Sequence, residues 1–326
     1  MKKILFTADP WEKWNLEVDS TFIIINEILS RGMGELYFLP FDEEKISAPK
    51  RAFRKIRSLN DKNNPQDLYQ YEIEERALST SSLSEFDVIF HRKDPPVDEA
   101  FKSFHAVFQQ LPQSVLQIND PLSICVEHEH FSPLHFPKYS PQTFLCENAH
   151  ECRKHYQNLG SQKMVLKPVN SAGGEGIVFL KQNEDLAIID QFFTKYSTGL
   201  LQEFIPEVTK GDLRVLCFRG KIFGAVRRVP AKGSLLGNFH AGATATKDWP
   251  NEKQKKIVFE VSKFYEEKKL FFLGLDFLGN RLTEVNFTSP TTLQQANKLH
   301  NLQCEKWLMD QIEELYREHH AHKIFL

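Results

Sequence analysis

The sequence lacks the features that mark several protein classes. No stretch approaches the roughly 18 consecutive apolar residues that a membrane-spanning helix needs, so a helical membrane protein is not expected. The opening run from Met1 to Pro10 holds too few apolar residues before Asp9 and Pro10 to act as a secretory signal. Cysteine is sparse and odd in number: Cys125, Cys146, Cys152, Cys217 and Cys304. That argues against a disulfide framework and for reduced thiols in a cytoplasmic protein. An excess of one charge is also missing. Lys and Arg number 41 against 43 Asp and Glu, and the formal net charge of -2 gives no overall field to draw nucleic acid or an acidic membrane. Internal repeats and low-complexity tracts are absent. His128, Glu129, His130 and His135 lack the paired short spacings of a zinc motif, as do Cys146, His150, Cys152 and His155. They read as helix surface and core thiols, and His319, His320 and His322 as a solvated tail.

What is present is the balance of a globular protein: 326 residues, 41% hydrophobic and 26% charged, with 27 phenylalanines for aromatic cores. The length predicts two or three domains. Ile4 to Thr7 reads as a buried strand. Asp19 or Ser20 caps a helix ending near Gly32, and Leu36 to Leu39 returns as a strand. Such a strand–helix–strand unit predicts an α/β region with a parallel sheet. Lys50, Arg51, Arg54, Lys55 and Arg57 form a basic run read as solvated surface. Asp87 to Phe90 is a further strand, leaving Arg92 and Lys93 at its carboxyl end, where open α/β sheets bind ligands. Val115 to Asn119 is another short strand. Residues 121–206 read as a smaller α/β unit. Beyond it, hairpins are expected around Arg219-Gly220 and Gly279-Asn280, with helices over Lys253 to Lys268 and Leu302 to Glu318.

Three constellations carry chemistry. The first runs Lys167-Pro168-Val169-Asn170-Ser171-Ala172-Gly173-Gly174-Glu175-Gly176 between two strands. Glycines there let backbone N–H groups approach phosphate oxygens. No Gly-Lys-Ser/Thr opens a helix, so this is not Walker A; by itself the loop also fits a hairpin turn. The second is Asp276 with Glu284 and Asn286. Residues two apart on a strand share a face, so these oxygens can converge on one hard cation. The neighbours Leu275, Phe277, Leu282 and Val285 are apolar, and a buried acid needs a partner. The third comprises the cations Lys167, Arg214, Arg227 and Arg228, suited to phosphate or to a developing acyl phosphate. Surface ion pairs would use the same residue types.

With the motifs Gln202-Glu203-Phe204-Ile205-Pro206, Gly211-Asp212-Leu213-Arg214 and Gly274-Leu275-Asp276…Glu284-Val285-Asn286-Phe287-Thr288-Ser289-Pro290, the chain resembles the ATP-grasp ligases, and among them the bacterial glutathione synthetase family. Asp9-Pro10…Asn15…Asp19-Ser20 and Arg92-Lys93-Asp94-Pro95-Pro96 extend the likeness to nearly the whole chain. The resemblance implies an α/β ATP-grasp fold with an N-terminal parallel-sheet (pre-ATP-grasp) domain. Its parts would be residues 1–120, 121–206 with the glycine loop, and 207–326 with metal site and lid.

The implied activity is Mg²⁺- or Mn²⁺-dependent ligation of γ-glutamylcysteine to glycine through an acyl phosphate, with ATP as co-substrate. The implied ATP site is His130, Lys167, Gly173, Gly174, Gly176, Gln202, Glu203, Phe204, Ile205 and Asp212, the last reaching the ribose. Arg214, Arg228 and Asn238 would be catalytic, with Asn238 in a lid over Ala231 to Ala243. Asp276, Glu284 and Asn286 would hold the metal, and Asn15, Asp19, Ser20 and Arg92 the substrate. The family's homo-oligomeric state, dimer or tetramer, is implied too. The likeness departs at His130, where a second ATP-binding lysine is expected, at Leu236 for an arginine, and at Ala243 for a glycine. Alternatives left open are a related carboxylate–amine ligase with another substrate, a nucleotide-binding homologue of reduced activity, and an RNA or membrane contact through residues 50–57.

Overall fold

The computed structural model describes residues 1–43, 48, 50–60, 68–159, 163–169, 174–181, 186–235, 237–239 and 242–321. Three sheets follow one another along the chain. The first takes β1 (Lys3–Ala8), β2 (Glu35–Pro40), β3 (Arg51–Leu59), β4 (Tyr69–Arg76), β5 (Val88–Arg92) and β6 (Leu116–Ile118) in the order β4-β3-β2-β1-β5-β6. Strand β1 pairs in parallel with β2 and β5, and β5 with β6. The parallel core follows from near-continuous apolar strands buried on both faces. The connecting helix α1 (Ser20–Arg31) begins where the Asp19 carboxylate accepts from the Thr21 N–H at 2.8 Å. It ends at Gly32, whose φ of 59° suits glycine at a helix C-terminus.

The basic run departs from the sequence expectation. It is strand β3, antiparallel to β2 and to β4, and it widens the sheet. Phe53 and Ile56 point into the core, and Arg51 is itself buried. Three of its cations meet acids: Arg54 meets Glu12, Lys55 meets Glu35, and Arg57 meets Glu72. A register shift between Ile56 and Ser58 breaks the two-residue alternation, which hid the strand from a periodicity reading.

Beneath this sheet His91 is buried against His105 with ring centroids 5.1 Å apart. Its Nδ1 faces the Thr7 hydroxyl at 3.1 Å and its Nε2 faces the Gln117 carbonyl oxygen at 2.9 Å. A neutral ring satisfies both, donating to Gln117 and accepting from Thr7. Burial pulls His91 down to about 4 from its usual 6.5. Between those values the unfolded chain binds the proton and the folded one does not, so stability falls as pH drops from 6.5 towards 4. At about 1.4 kcal/mol per unit the loss is on the order of 3 kcal/mol. Urea unfolding at pH 7 and pH 5 covers part of that range and is expected to show a loss of about 2 kcal/mol in the wild type and a smaller one in His91→Phe. Equal losses in both proteins would remove His91 as the cause.

The second sheet is antiparallel, β7-β10-β8-β9, from β7 (Thr143–Cys146), β8 (Met164–Pro168), β9 (Val178–Leu180) and β10 (Gly199–Glu203). Helices α2 (Ala149–Asn158) and α3 (Leu186–Lys195) are amphipathic and share its core, which includes Cys146, Cys152, Tyr156, Ile189 and Phe192. The third sheet runs β13-β12-β11-β14-β15 and is antiparallel throughout. It comprises β11 (Asp212–Phe218), β12 (Lys221–Val229), β13 (Thr244–Thr246), β14 (Phe272–Leu278) and β15 (Arg281–Asn286). Both expected hairpins are there. Arg219 and Gly220 turn the first with φ of 48° and 75°. The helix over Glu252–Glu266 covers one face, and those over Leu293–His300 and Cys304–Ala321 pack on the other side of the third sheet and against α1. The sequence reading had neither the short strand at 143–146 nor the helix at 293–300; both are too short for a clear period.

Asn119, just past β6, joins the first sheet to the third. Its Nδ2 donates to the carbonyls of Phe272 and Phe287, both at 2.8 Å. Its Oδ1 accepts from the N–H groups of Phe271 and Phe272 at 2.8 and 2.9 Å. One buried amide thus satisfies four backbone groups, which would each cost stability if left without partners.

Candidate active site

Strand period and register place the charged groups of the third sheet on one face. Asp212 and Arg214 are two apart on β11. Arg214 is the register partner of Asp276, Asp276 of Glu284, Asp212 of Arg228, and Gly274 of Asn286. Six candidate side chains from four strands therefore stand in three adjoining rows. Glycine at 274 makes room: a Cβ there would lie 3.0 Å from Arg214 Cδ.

The rows are bound by charge. Arg214 grips Asp276 with Nε on Oδ1 and with Nη2 on Oδ2 at 2.8 Å. Arg228 donates to Asp276 Oδ2 at 2.8 Å and to Asp212 through two nitrogens. Burial opposes the charge on Arg228, but Asp212 and Asp276 raise it above its usual range. From the second sheet, Lys167 on β8 faces the same carboxylates. Burial pulls its ammonium down, and Glu284 and Asp276 pull it back up. Burial likewise opposes the charge on Glu284, yet His130, Lys167 and Arg214 hold its carboxyl far below the usual range. His130 spans the two sheets, with Nε2 3.2 Å from Glu284 Oε1 and Nδ1 3.3 Å from the Pro168 carbonyl.

These groups line a cavity of about 530 Å³ between the second and third sheets. Lys167, Gly174, Gln202, Glu203, Phe204, Ile205 and Asp212 are on its wall, with His130, Arg214, Arg228, Asn238, Asp276, Glu284 and Asn286. Gly173 and Leu236 lie outside the described residues. Gly176 is off the wall; with φ of 73° it packs where a Cβ would press on Tyr196 and Pro168. The substrate candidates are placed differently. Asn15 is exposed, and its Oδ1 accepts from the Glu17 N–H. The Asp19 carboxylate caps α1, and Ser20 donates to Gln294 at 3.2 Å. Arg92 is buried behind the wall, donating to the Thr21 hydroxyl at 3.2 Å and the Pro290 carbonyl at 2.9 Å. Val18, Asp94 and Pro95, one to three residues from those candidates, reach the cavity instead. Crowding by protein, then the charges of Asp19 and Asp9, push the Asp94 carboxyl up to about 6. The sequence reading also did not include the slot of Val165, Ile177, Phe179, Val208 and Leu278, nor Glu129. Apolar strand residues carry no signal that separates a ligand slot from ordinary core.

The donor set suits a hard divalent cation. Two carboxylates and one amide are oxygen donors of the kind Mg²⁺ shares with phosphates. Asn286 Nδ2 donates to the Gly274 carbonyl at 3.2 Å and to Asp276 Oδ2 at 3.3 Å. Both partners are acceptors, so the amide is oriented with its oxygen as the remaining donor atom.

Comparison with solved structures places this fold in the ATP-grasp class. The chain superposes on the VanG D-Ala:D-Ser ligase of Enterococcus faecalis with a TM-score of 0.65 at 12% identity, covering 97% of this chain and 100% of that one. It superposes on the D-alanyl-alanine synthetase A of Vibrio cholerae O1 with a TM-score of 0.61 at 13% identity, covering 97% and 98%. The sequence narrows the class: the chain belongs to the prokaryotic glutathione synthetase family. Residues 2–124 match that family's N-terminal domain and residues 129–301 its ATP-grasp domain. The glutathione synthetase of Vibrio cholerae serotype O1 is 30% identical over 318 residues, 96% of this chain and 98% of that protein. That of Wigglesworthia glossinidia brevipalpis is 30% identical over 327 residues, covering 98% and 100%.

Proposed function

We propose that this chain joins the carboxylate of γ-glutamylcysteine to the amine of glycine, converting ATP to ADP and phosphate through an acyl phosphate. The observation that carries the reading is the cavity itself. An apolar slot between the second and third sheets adjoins a cluster in which three cations and three metal-suited groups, two carboxylates and an amide, converge. Adenine lies in the slot beside Gln202 to Ile205. Lys167, Arg214 and Arg228 hold the phosphates and then the acyl phosphate. Phosphoryl transfer needs this positioning and neutralisation of charge rather than a covalent residue. Asp276, Glu284 and Asn286 would hold Mg²⁺ or Mn²⁺, which supplies charge neutralisation at the transferring phosphate. Leu235, Gly237, Asn238 and Phe239 border the cavity from the lid segment and exclude water from the reactive acyl phosphate. Dipeptide and glycine occupy the end near Val18, Asp94 and Pro95. Residues 1–120, 121–206 and 207–326 act as three parts, in a cytoplasmic homodimer or homotetramer. No helix among the described residues is long and apolar enough to cross a membrane.

Phosphate release from ATP and Mg²⁺ tests the reading. With γ-glutamylcysteine and glycine together the rate is expected to exceed that with either alone by about 100-fold, and the tripeptide accumulates in step with ADP. Release that depends on a different amine, with glycine inert, would overturn the assignment of the acceptor.

A further inference from the structure

We infer that Glu129 is a positioning residue for the metal-binding strand, a role that rests on the Mg·ATP reading of the cavity. Glu129 opens the short turn Glu129–Phe131 and stands on the cavity wall. A single oxygen, Oε1, accepts three hydrogen bonds: from the Phe287 N–H at 2.6 Å, the Thr288 N–H at 2.8 Å and the Thr288 hydroxyl at 2.9 Å. These donors lie directly after Asn286. The carbonyl of Phe287 is held from the other side by Asn119 Nδ2. The peptide units leaving the metal strand are therefore fixed on both sides, and bonds to a charged acceptor are about twice as strong as neutral ones.

The same turn holds the strand at a second point. His130, the next residue, sets Nε2 on Glu284 and Nδ1 on the carbonyl of Pro168, the neighbour of Lys167. One turn thus grips both ends of Glu284–Thr288, with Asn286 between the grips. It ties that segment to the strand that carries the phosphate-binding lysine. The arrangement has a cost. Burial first, and then the charge of Glu284, raise the pKa of Glu129. A neutral anchor at this place would avoid that repulsion. Placing a second carboxylate beside a metal ligand makes sense where the geometry of the ligands matters more than local stability. Groups behind metal ligands commonly set metal affinity by tenfold or more.

The test compares wild type, Glu129→Gln and Glu129→Ala, each with its thermal midpoint measured. Mn²⁺ is titrated in the presence of ADP, and free Mn²⁺ is read by electron paramagnetic resonance. The Mn²⁺ dissociation constant is expected to rise about tenfold in the alanine variant and about threefold in the glutamine variant, which keeps an acceptor oxygen. Half-saturating Mg²⁺ in turnover rises in parallel, while KM for the dipeptide stays within about twofold. A folded alanine variant that binds Mn²⁺ within about twofold of wild type would overturn the inference. If the alanine variant does not fold, the glutamine variant decides, and wild-type affinity there overturns it. A uniform loss of dipeptide, nucleotide and metal binding also overturns it, since that marks general loosening. Failure of the wild type to bind Mn²⁺ with ADP would instead remove the Mg·ATP reading itself.

Discussion

Replacing Glu284 by glutamine is expected to lower kcat on the order of 10³-fold while leaving a folded protein. On the proposed function the carboxylate would neutralise a divalent cation; an amide of the same shape brings no charge, and losing one preorganised electrostatic group at a transferring centre costs on the order of 10²- to 10³-fold. Folding responds less because two effects offset. The variant loses the attraction of His130, Lys167 and Arg214, but it also escapes the burial of a charge. A carboxyl held low in the folded state stabilises the fold above its usual range near 4.5 and loses that contribution as pH falls. The midpoints of variant and wild type should therefore draw together in acid. Activity and thermal unfolding of the pure variant check this. Unchanged turnover would remove Glu284 from the metal site.

Asp276→Ala is expected to damage both activity and folding. Asp276 is buried and is the shared partner of Arg214 and Arg228. Arg228 keeps Asp212, whereas Arg214 loses the carboxylate that both its nitrogens grip. Removing one member of a buried ion pair leaves an uncompensated charge and costs about 3–5 kcal/mol. For a domain of this size that lowers the thermal midpoint by roughly 10 °C. The double change Arg214→Met/Asp276→Leu removes both charges and should recover most of the midpoint, because apolar residues can replace a buried pair. It should recover none of the activity. Calorimetry of the two variants separates the effects; a double variant no more stable than Asp276→Ala would show that the pair itself carries the stability.

Much of the site was legible from local rules. Asp276, Glu284 and Asn286 were assigned one face by the two-residue period of a hairpin, but the turn at Gly279 by itself would set Asp276 opposite Thr283; a register shift between Asp276 and Phe277 brings Glu284 there instead. A cap at Asp19 or Ser20 was read from residue type and place before an apolar helix, and Asp19 is the residue that caps it. Where local signals conflicted, the reading went astray. The basic run resembled solvated surface because Lys and Arg dominate it, although Phe53 and Ile56 had enough apolar surface to enter a sheet.

The sequence by itself determined the elements with a strong period or a definite turn, the choice of oxygen donors, and the cations that face them. These depend on backbone geometry within a few residues and on the chemistry of each side chain. The tertiary structure alone decided which distant segments meet. Glu129 reaches Phe287 and Thr288 across 158 and 159 positions, and Asn119 reaches Phe272 and Phe287 across 153 and 168. It also decided that Val18, Asp94 and Pro95 face the cavity while Ser20 and Arg92 are buried behind it. Such choices come from packing whole layers and pairing buried charges. Their energies are shared among many residues, so no short window of sequence contains them.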